Sequence, residues 1–369
     1  MRKVYWDFIG KKLLSGKLFW LLRKFFQFFL IHFSYWFKKP LTGPILGTFF
    51  VTFQCNYHCK MCDLPLRGKE LHDKGLRELT TVQLKGVLHD FYKLGVAGVG
   101  FTGGEPLLRA DIFELLAYAK SLGMITHLNT NSFLIDRNKA KAILESGVDS
   151  INISLDGPTA QIHDAIRGFS GAFDKTIAAI DVLNEARQSA NKKVRLKTVM
   201  VVDDTNIKTI PQMLELTQKL KTDCIEFIPQ QPFVDDGKYS FDENFFVVLN
   251  DMVEYLHRQK RAGAPIENSH EDLDLFDSAF KRKKFPLKCY AGYNSCAVDC
   301  YGEIYPCMPW INWGKPVGNV TRDNIKRFWY SSNYNNMRCV VNACRDCYLN
   351  CQAELNILFN RPKRFRCGK

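Results

Sequence analysis

The sequence predicts an α/β fold, a wound or barrel-like parallel sheet with helices packed against it. Three observations predict it. Between residues 45 and 232, short β-branched and aromatic runs alternate with longer amphipathic runs, as parallel strands alternate with their crossover helices. Roughly six β/α units fit there, fewer than the eight of a closed barrel. The conspicuous motifs all fall just after strands, where ligand groups gather in such sheets.

The first forty residues stand apart. Arg2, Lys3, Lys11, Lys12, Lys17, Arg23, Lys24, Lys38 and Lys39 face a single acid, Asp7, so most of the net charge of +13 lies here. That placement excludes a basic nucleic-acid groove through the body. The stretch is also rich in Trp and Phe, and its longest charge-free run, residues 25–37, is shorter than the roughly 20 residues of a spanning helix. A short apolar helix with basic flanks reads as an interfacial anchor on the anionic inner face of a membrane. The alternative is a helix pair packed on the protein's own core or on a partner subunit. Pro40, Gly43 and Pro44 close this segment, residues 1–44.

The body follows as elements in order. Residues 45–53 form a strand ending at a cysteine loop. Thr80 and Thr81 cap a helix that runs to about residue 94. A buried strand at 96–102 leads into Gly103-Gly104-Glu105-Pro106. Then come a helix at 111–122, a strand at 125–129, a helix at 139–145 and a strand at 150–155. A helix at 173–189, a strand at 194–202, a helix at 210–219 and a strand at 224–228 complete the 45–232 core. Residues 233–285 read as a helical connector and 286–369 as a small Cys-rich α+β domain.

Thirteen cysteines are many for 369 residues, and they bunch near 55–62 and 289–367, unlike scattered disulfides. Thiols kept as metal ligands must stay reduced, and nothing reads as a cleavable signal peptide, so a cytoplasmic location is expected. Cys55, Cys59 and Cys62 form CxxxCxxC. Three thiolates on one tight loop can hold three corners of a cubic iron–sulfur cluster and leave one iron open to a substrate. A structural zinc site is the alternative, and it would want a fourth Cys or His. His58, inside the loop, is expected to point away from the other ligands.

The triplet resembles the signature of the radical S-adenosylmethionine (SAM) enzymes. Gly103-Gly104-Glu105-Pro106, about forty residues on, resembles the family's segment that contacts the methionine amino group. Asn152 to Gly157, then His163-Asp164-Ala165-Ile166-Arg167-Gly168, resembles branches that carry a C-terminal SPASM or twitch extension. The resemblance implies a partial (β/α)6 barrel with Ser154 and Asp156 near the ribose and Arg167 on the SAM carboxylate. It also places Met61 against the adenine. Ser132, in Thr130-Asn131-Ser132, departs from the family's Asn-Gly and puts a tight glycine turn there in doubt.

The C-terminal cysteines extend the likeness. Cys289, Gly302, Cys307 and the CxxC pair Cys344 and Cys347 resemble the twitch pattern for one auxiliary 4Fe–4S cluster, with a glycine hairpin bringing Cys307 to a strand end. Cys351 follows as a further ligand candidate. Cys296, Cys300, Cys339 and Cys367 keep a second auxiliary cluster open, and a zinc knuckle is the third option. Cys224, in an apolar strand, reads as a buried small hydrophobe.

The resemblance implies an enzyme that cleaves SAM reductively to methionine and a 5′-deoxyadenosyl radical, which abstracts hydrogen from a substrate. It implies an electron donor such as flavodoxin or ferredoxin. The N-terminal segment favours a lipid, lipid-linked or other small substrate at the membrane. The SPASM-like tail keeps a peptide or protein maturase as the alternative. A non-catalytic iron–sulfur or zinc scaffold is the reading from another class. The residues name no general acid or base.

Overall fold

The computed structural model describes residues 18–231, 241–344 and 347–360. Residues 1–17, which hold the first part of the basic aromatic segment, and Cys367 lie outside the described residues.

Six strands, β1 (Leu46–Thr52), β2 (Gly98–Gly103), β3 (Ile125–Thr130), β4 (Ser150–Ser154), β5 (Arg195–Val202) and β6 (Cys224–Pro229), run parallel, each beside the next. The crossovers carry α2 (Thr81–Leu94), α3 (Ile112–Ser121), α4 (Arg137–Glu145), α5 (Ala160–Arg167), α6 (Ala172–Ser189) and α7 (Ile210–Lys219), following α1 (Leu18–Phe37). Local chemistry sets the helix starts. Thr80 and Gln83 make a reciprocal capping box on α2, and Asp136 accepts from Lys139 N at the start of α4.

The strands alternate in a telling way. Leu128, Ile151, Ile153, Leu196, Ile225 and Phe227 pack outward into the main core with the helices. The residues between them, including His127, Asn129, Asn152, Lys197 and Glu226, line an inner cavity. A sheet buried on both faces therefore keeps a polar inner face.

The sheet does not stop at the six expected strands. β7 (Ser295–Val298) pairs parallel with β1, Leu46 opposite Ser295, and β8 (Glu303–Tyr305) and β9 (Gly318–Asn319) add antiparallel. The order is β6-β5-β4-β3-β2-β1-β7-β8-β9. The first strand would otherwise leave a row of unpaired peptide groups, and the Cys-rich region satisfies them. A long helix α8 (Glu243–Arg261), then α9 (Ser332–Ala343) and α10 (Asn350–Phe359), complete the elements that matter below.

α1 is longer than the expected run, at 20 residues. Among the described residues no helix is long and apolar enough to cross a membrane. Its Ile31, with Phe28 and Tyr35, packs on Tyr290, Tyr293 and Phe359.

Candidate active site

The cysteine loop leaves the end of β1 and is held from three sides. Glu78 accepts from Thr52 Oγ1 at 2.8 Å and Phe53 N at 2.9 Å, and Arg109, fixed by Asp111, donates to Val51 O at 3.1 Å. Tyr57, buried, stacks on Phe169 at 5.1 Å and meets Phe133 edge-on at 5.8 Å. Lys60 N donates to Ile166 O at 3.1 Å. His58 is exposed and Met61 is half-buried within the loop.

The sulfurs face donors. Tyr57 N approaches Cys55 Sγ at 3.5 Å, Asn131 Nδ2 at 3.8 Å, and Arg167 Nη1 lies 3.8 Å from Cys59 Sγ. Burial pushes the Cys55 thiol up, which opposes a bare thiolate. N–H groups aimed at sulfur, with a cation to hold the charge, are what an anionic cluster's ligands require.

The Gly103-Gly104 turn approaches the chain's own backbone. A Cβ on Gly103 would sit 2.1 Å from Thr52 O, and one on Gly104 2.1 Å from Gln54 O. Gly104 N and Glu105 N donate to those two carbonyls, both at 2.8 Å, so the turn is stitched to the loop entrance. Glu105 is fully buried. Its carboxylate accepts from Leu107 N at 2.9 Å, Thr130 Oγ1 at 2.8 Å and Asn131 N at 2.7 Å. Burial still pushes it up to about 7. Glu105 thereby ties the end of β2 to the end of β3 and sets Asn131 over Cys55. The doubted turn at Ser132 does form: Ser132 takes φ 63, with its N–H on Thr130 Oγ1 at 2.9 Å and its hydroxyl on Asn131 O at 2.6 Å. Side-chain hydrogen bonds offset a conformation that glycine would adopt freely.

Arg167, at the end of α5, is prepared by Asp156. Its Nε lies 2.5 Å from Asp156 Oδ2, and Asp156 Oδ1 accepts from Val201 N at 2.8 Å. Burial works against the guanidinium's charge, but Asp156 and then Cys59 keep its pKa raised. Asp156 is fully buried, so it acts behind Arg167. The rest of the His-Asp-Ala-Ile-Arg-Gly run serves the backbone. His163 Nδ1 accepts from Asp156 N at 3.0 Å, and Asp164 accepts from Gly171 N at 2.6 Å and Phe173 N at 2.8 Å. At Gly168, φ 63, a Cβ would meet His58 O at 2.2 Å. Ser154 is half-buried and lines the inner cavity.

That cavity, about 220 Å³, sits inside the strands. Arg195 is fixed bidentately by Glu267 at 3.1 and 2.6 Å, Lys197 pairs with Glu226, and Asn152 Nδ2 donates to Asn129 Oδ1 at 2.6 Å. Burial opposes the Glu226 charge, yet Lys197 holds its carboxyl below the ordinary value. Met308, Leu349, Asn350 and Cys351 close one side.

The C-terminal cysteines divide. Burial raises the Cys307 thiol, and neighbouring Cys289, Cys347 and Cys344 add to it. The β7–β8 turn at Gly302, φ 87, brings Cys307 to the strand end. Cys351 lies beside this group but on the cavity side, where burial and then Glu226 push it up to about 12. Cys296 is buried near Tyr334, Cys300 near Glu78, and Cys339 is exposed on α9. Cys224 is buried in β6. Among the described residues no three His, Cys, Asp or Glu side chains converge on one metal ion.

A partial parallel barrel with a three-cysteine loop at a strand end, and a second cysteine group around Cys307 in the region that extends its sheet, has the make-up of an iron–sulfur enzyme. Residues 49–217 match the Radical SAM superfamily model, and 289–348 match SPASM, an iron-sulfur cluster-binding domain. An AdoMet-dependent heme synthase of Oleidesulfovibrio alaskensis is 39% identical over 308 residues, covering 77% of this chain and 74% of that one. A PqqA peptide cyclase of Rhodopseudomonas palustris is 32% identical over 183 residues, 50% of this chain and 46% of that one. Streptococcus suis SuiB shares the fold at TM-score 0.64 and 19% identity, over 81% of this chain and 69% of that one. So does anSMEcpe with bound AdoMet, at TM-score 0.61 and 18% identity, over 84% and 95%. The chain belongs to the radical SAM superfamily, in its SPASM-bearing branch. It is an enzyme family whose 4Fe–4S cluster, SAM and auxiliary iron–sulfur centre are its cofactors.

Several residues escaped the sequence reading. Tyr57, Phe133 and Phe169 hold the loop, and Glu78 and Arg109 brace its entrance. Asn129, Lys197 and Glu226 carried a readable signal, polar residues within buried strands.

Proposed function

We propose that this chain cleaves SAM at the Cys55, Cys59 and Cys62 site and abstracts hydrogen from a small molecule held among β3 to β6. The observation that carries this is the cavity inside the strands, whose lining includes Ser154 at the end of β4, the charged Arg195, Lys197 and Glu226, and Cys351 from the C-terminal region. When bound, a reduced 4Fe–4S cluster supplies the electron that splits SAM into methionine and a 5′-deoxyadenosyl radical. In this reading Arg167, held by Asp156, receives the SAM carboxylate, Ser154 lies near the ribose and Met61 near the adenine. Gly103, Gly104 and Glu105 shape the wall that meets the amino group. Cys289, Cys307, Cys344 and Cys347 hold one auxiliary cluster, and Cys351 faces the substrate.

The heme synthase relative, whose alignment spans most of both chains, makes a carboxylated tetrapyrrole the first substrate to test. Arg195 and Lys197 are the cavity cations that would meet a carboxylate, each at present neutralised by a glutamate. A peptide substrate is the second reading, supported by the PqqA peptide cyclase relatives and by a SuiB structure bound to a precursor peptide. A flavodoxin or ferredoxin is the proposed electron donor. The reading also includes a place of work, the inner face of a membrane, supported by the basic aromatic N-terminus and the apolar outer side of α1.

The test is anaerobic reconstitution with iron and sulfide, reduction with dithionite, and assay for 5′-deoxyadenosine. Formation of the product with an iron-loaded protein is expected. Its absence, with zinc in place of iron, would overturn the enzymatic reading. Adding an iron coproporphyrin and then a peptide pool, and following which one loses mass or gains a crosslink, separates the two substrate classes.

A further inference from the structure

α1 has two apolar sides, and among the described residues only one is covered. On the covered side Phe28 stacks on Phe359 at 4.4 Å and Tyr35 lies 4.4 Å from Tyr290, with Ile31 fully buried between. Polar pins fix the helix to the body. Gln27 Nε2 donates to Gly43 O at 3.0 Å and Pro44 O at 3.1 Å. Lys24 donates to Gly95 O and, at 2.9 Å, to Gln27 Oε1. The helix is thus a rigid part of the catalytic domain.

The other side carries Leu22, Phe25, Phe26, Phe29, Phe33 and Trp36 at helical spacing, each between 44% and 79% exposed. Scattered single apolar residues are normal on a surface, but a continuous stripe of large ones marks an interaction site. Beside the stripe lies a cavity of about 380 Å³ between α1 and the end of α2. Leu22, Phe26, Leu30 and Leu94 form its wall, and the exposed Arg23 stands on its lining. α1 contains no acid, and among the described residues no carboxylate pairs with Arg23. Lys38 and Lys39 are exposed past its far end.

We infer that this face docks on a bilayer containing anionic phospholipid, with Phe25, Phe26, Phe29, Phe33 and Trp36 entering the interface. The cleft beside Arg23 takes an acyl chain, with the guanidinium on the lipid phosphate. This deepens the membrane-apposed reading and rests on it, but does not depend on the radical chemistry. Charge selects the occupant. Two copies pairing through this stripe about a two-fold axis would bring the same basic residues together, whereas an anionic surface neutralises them. Because α1 is pinned to Gly43, Pro44 and Gly95, docking would orient the whole catalytic domain on the bilayer.

The experiment uses the full chain, reconstituted with iron, and vesicles of phosphatidylcholine alone or with phosphatidylglycerol. Co-sedimentation with the anionic vesicles only, falling as salt rises, is expected. Arg23→Glu should weaken it about fivefold per unit of charge changed. Phe26→Glu with Phe29→Glu should abolish it while 5′-deoxyadenosine formation stays at the wild-type level. Unchanged sedimentation of the double variant would overturn the inference. So would a dimer, seen by light scattering without vesicles, that the same variant dissolves. Loss of 5′-deoxyadenosine in the wild type with lipid binding intact would refute the enzymatic reading and leave this inference standing.

Discussion

Asp156 sets the geometry of Arg167: its buried carboxylate fixes Nε, and Nη1 lies toward Cys59. A lysine could match the charge but not the fork. Arg167→Lys should therefore lower 5′-deoxyadenosine formation by about 10–100-fold, the usual cost of losing a group that supports a cluster or its ligand. Iron content, measured in parallel, should stay near wild type. His163 gives a pH signature. Burial first, and then Arg167, lowers its pKa to about 3, and its Nδ1 must stay free of a proton to accept from Asp156 N. The unfolded chain binds that proton near pH 6.5 and the folded chain does not. Stability is then full above about pH 6.5 and declines as pH falls toward 3, by about 1.4 kcal/mol per pH unit. His163→Gln should flatten that slope in denaturant titrations at pH 7 and pH 5.

At the scale of elements, two turns hold the cysteine loop by close backbone contact, and neither tolerates a side chain. Gly104→Ala puts a Cβ 2.1 Å from Gln54 O, so the loop entrance must move. Iron bound at Cys55, Cys59 and Cys62 should fall, and circular dichroism should show the remaining fold intact. Motifs and elements were legible to different degrees. The six strands and most of their helices appear within a few residues of their expected bounds, because alternation of apolar runs records the parallel pairing directly. The turn at Ser132 was misjudged from its residue type. Thr130, Asn131 and Thr176 lend hydrogen bonds to a strained serine, and those partners meet only in the folded chain. The aromatic clamp of Tyr57, Phe133 and Phe169 was invisible for the same reason: its members are some 75 and 35 residues apart in sequence and meet only when β1, β3 and the segment after β4 are brought side by side in the sheet.

For the whole molecule, the sheet that carries the three-cysteine loop at the end of β1 continues through β7 into the region that holds the second cysteine group, whose Cys351 reaches the inner cavity. Replacing Cys344 and Cys347 together by alanine should lower bound iron from about eight to about four per chain, with one cubic cluster lost. SAM cleavage should survive and substrate turnover should not. Cys351→Ala should keep the full iron content and impair turnover only, since its sulfur lies on the cavity wall near Glu226. Iron assay and electron paramagnetic resonance on the reduced protein check both.

The sequence by itself determined the family, the strand-helix succession, the three-cysteine motif and the bunching of all its cysteines but Cys224 into two groups. Those properties are carried by residues close together along the chain, where spacing alone constrains geometry. Only the tertiary structure decided which carboxylates serve the backbone, that Cys351 reaches the inner cavity, and that β7 closes the free edge of β1. It alone showed that one side of the aromatic N-terminal helix packs on Tyr290, Tyr293 and Phe359 while Phe25, Phe26, Phe29, Phe33 and Trp36 are exposed. Burial, pairing and exposure belong to residues that meet across long stretches of chain, and a local pattern cannot record which of two faces finds a partner.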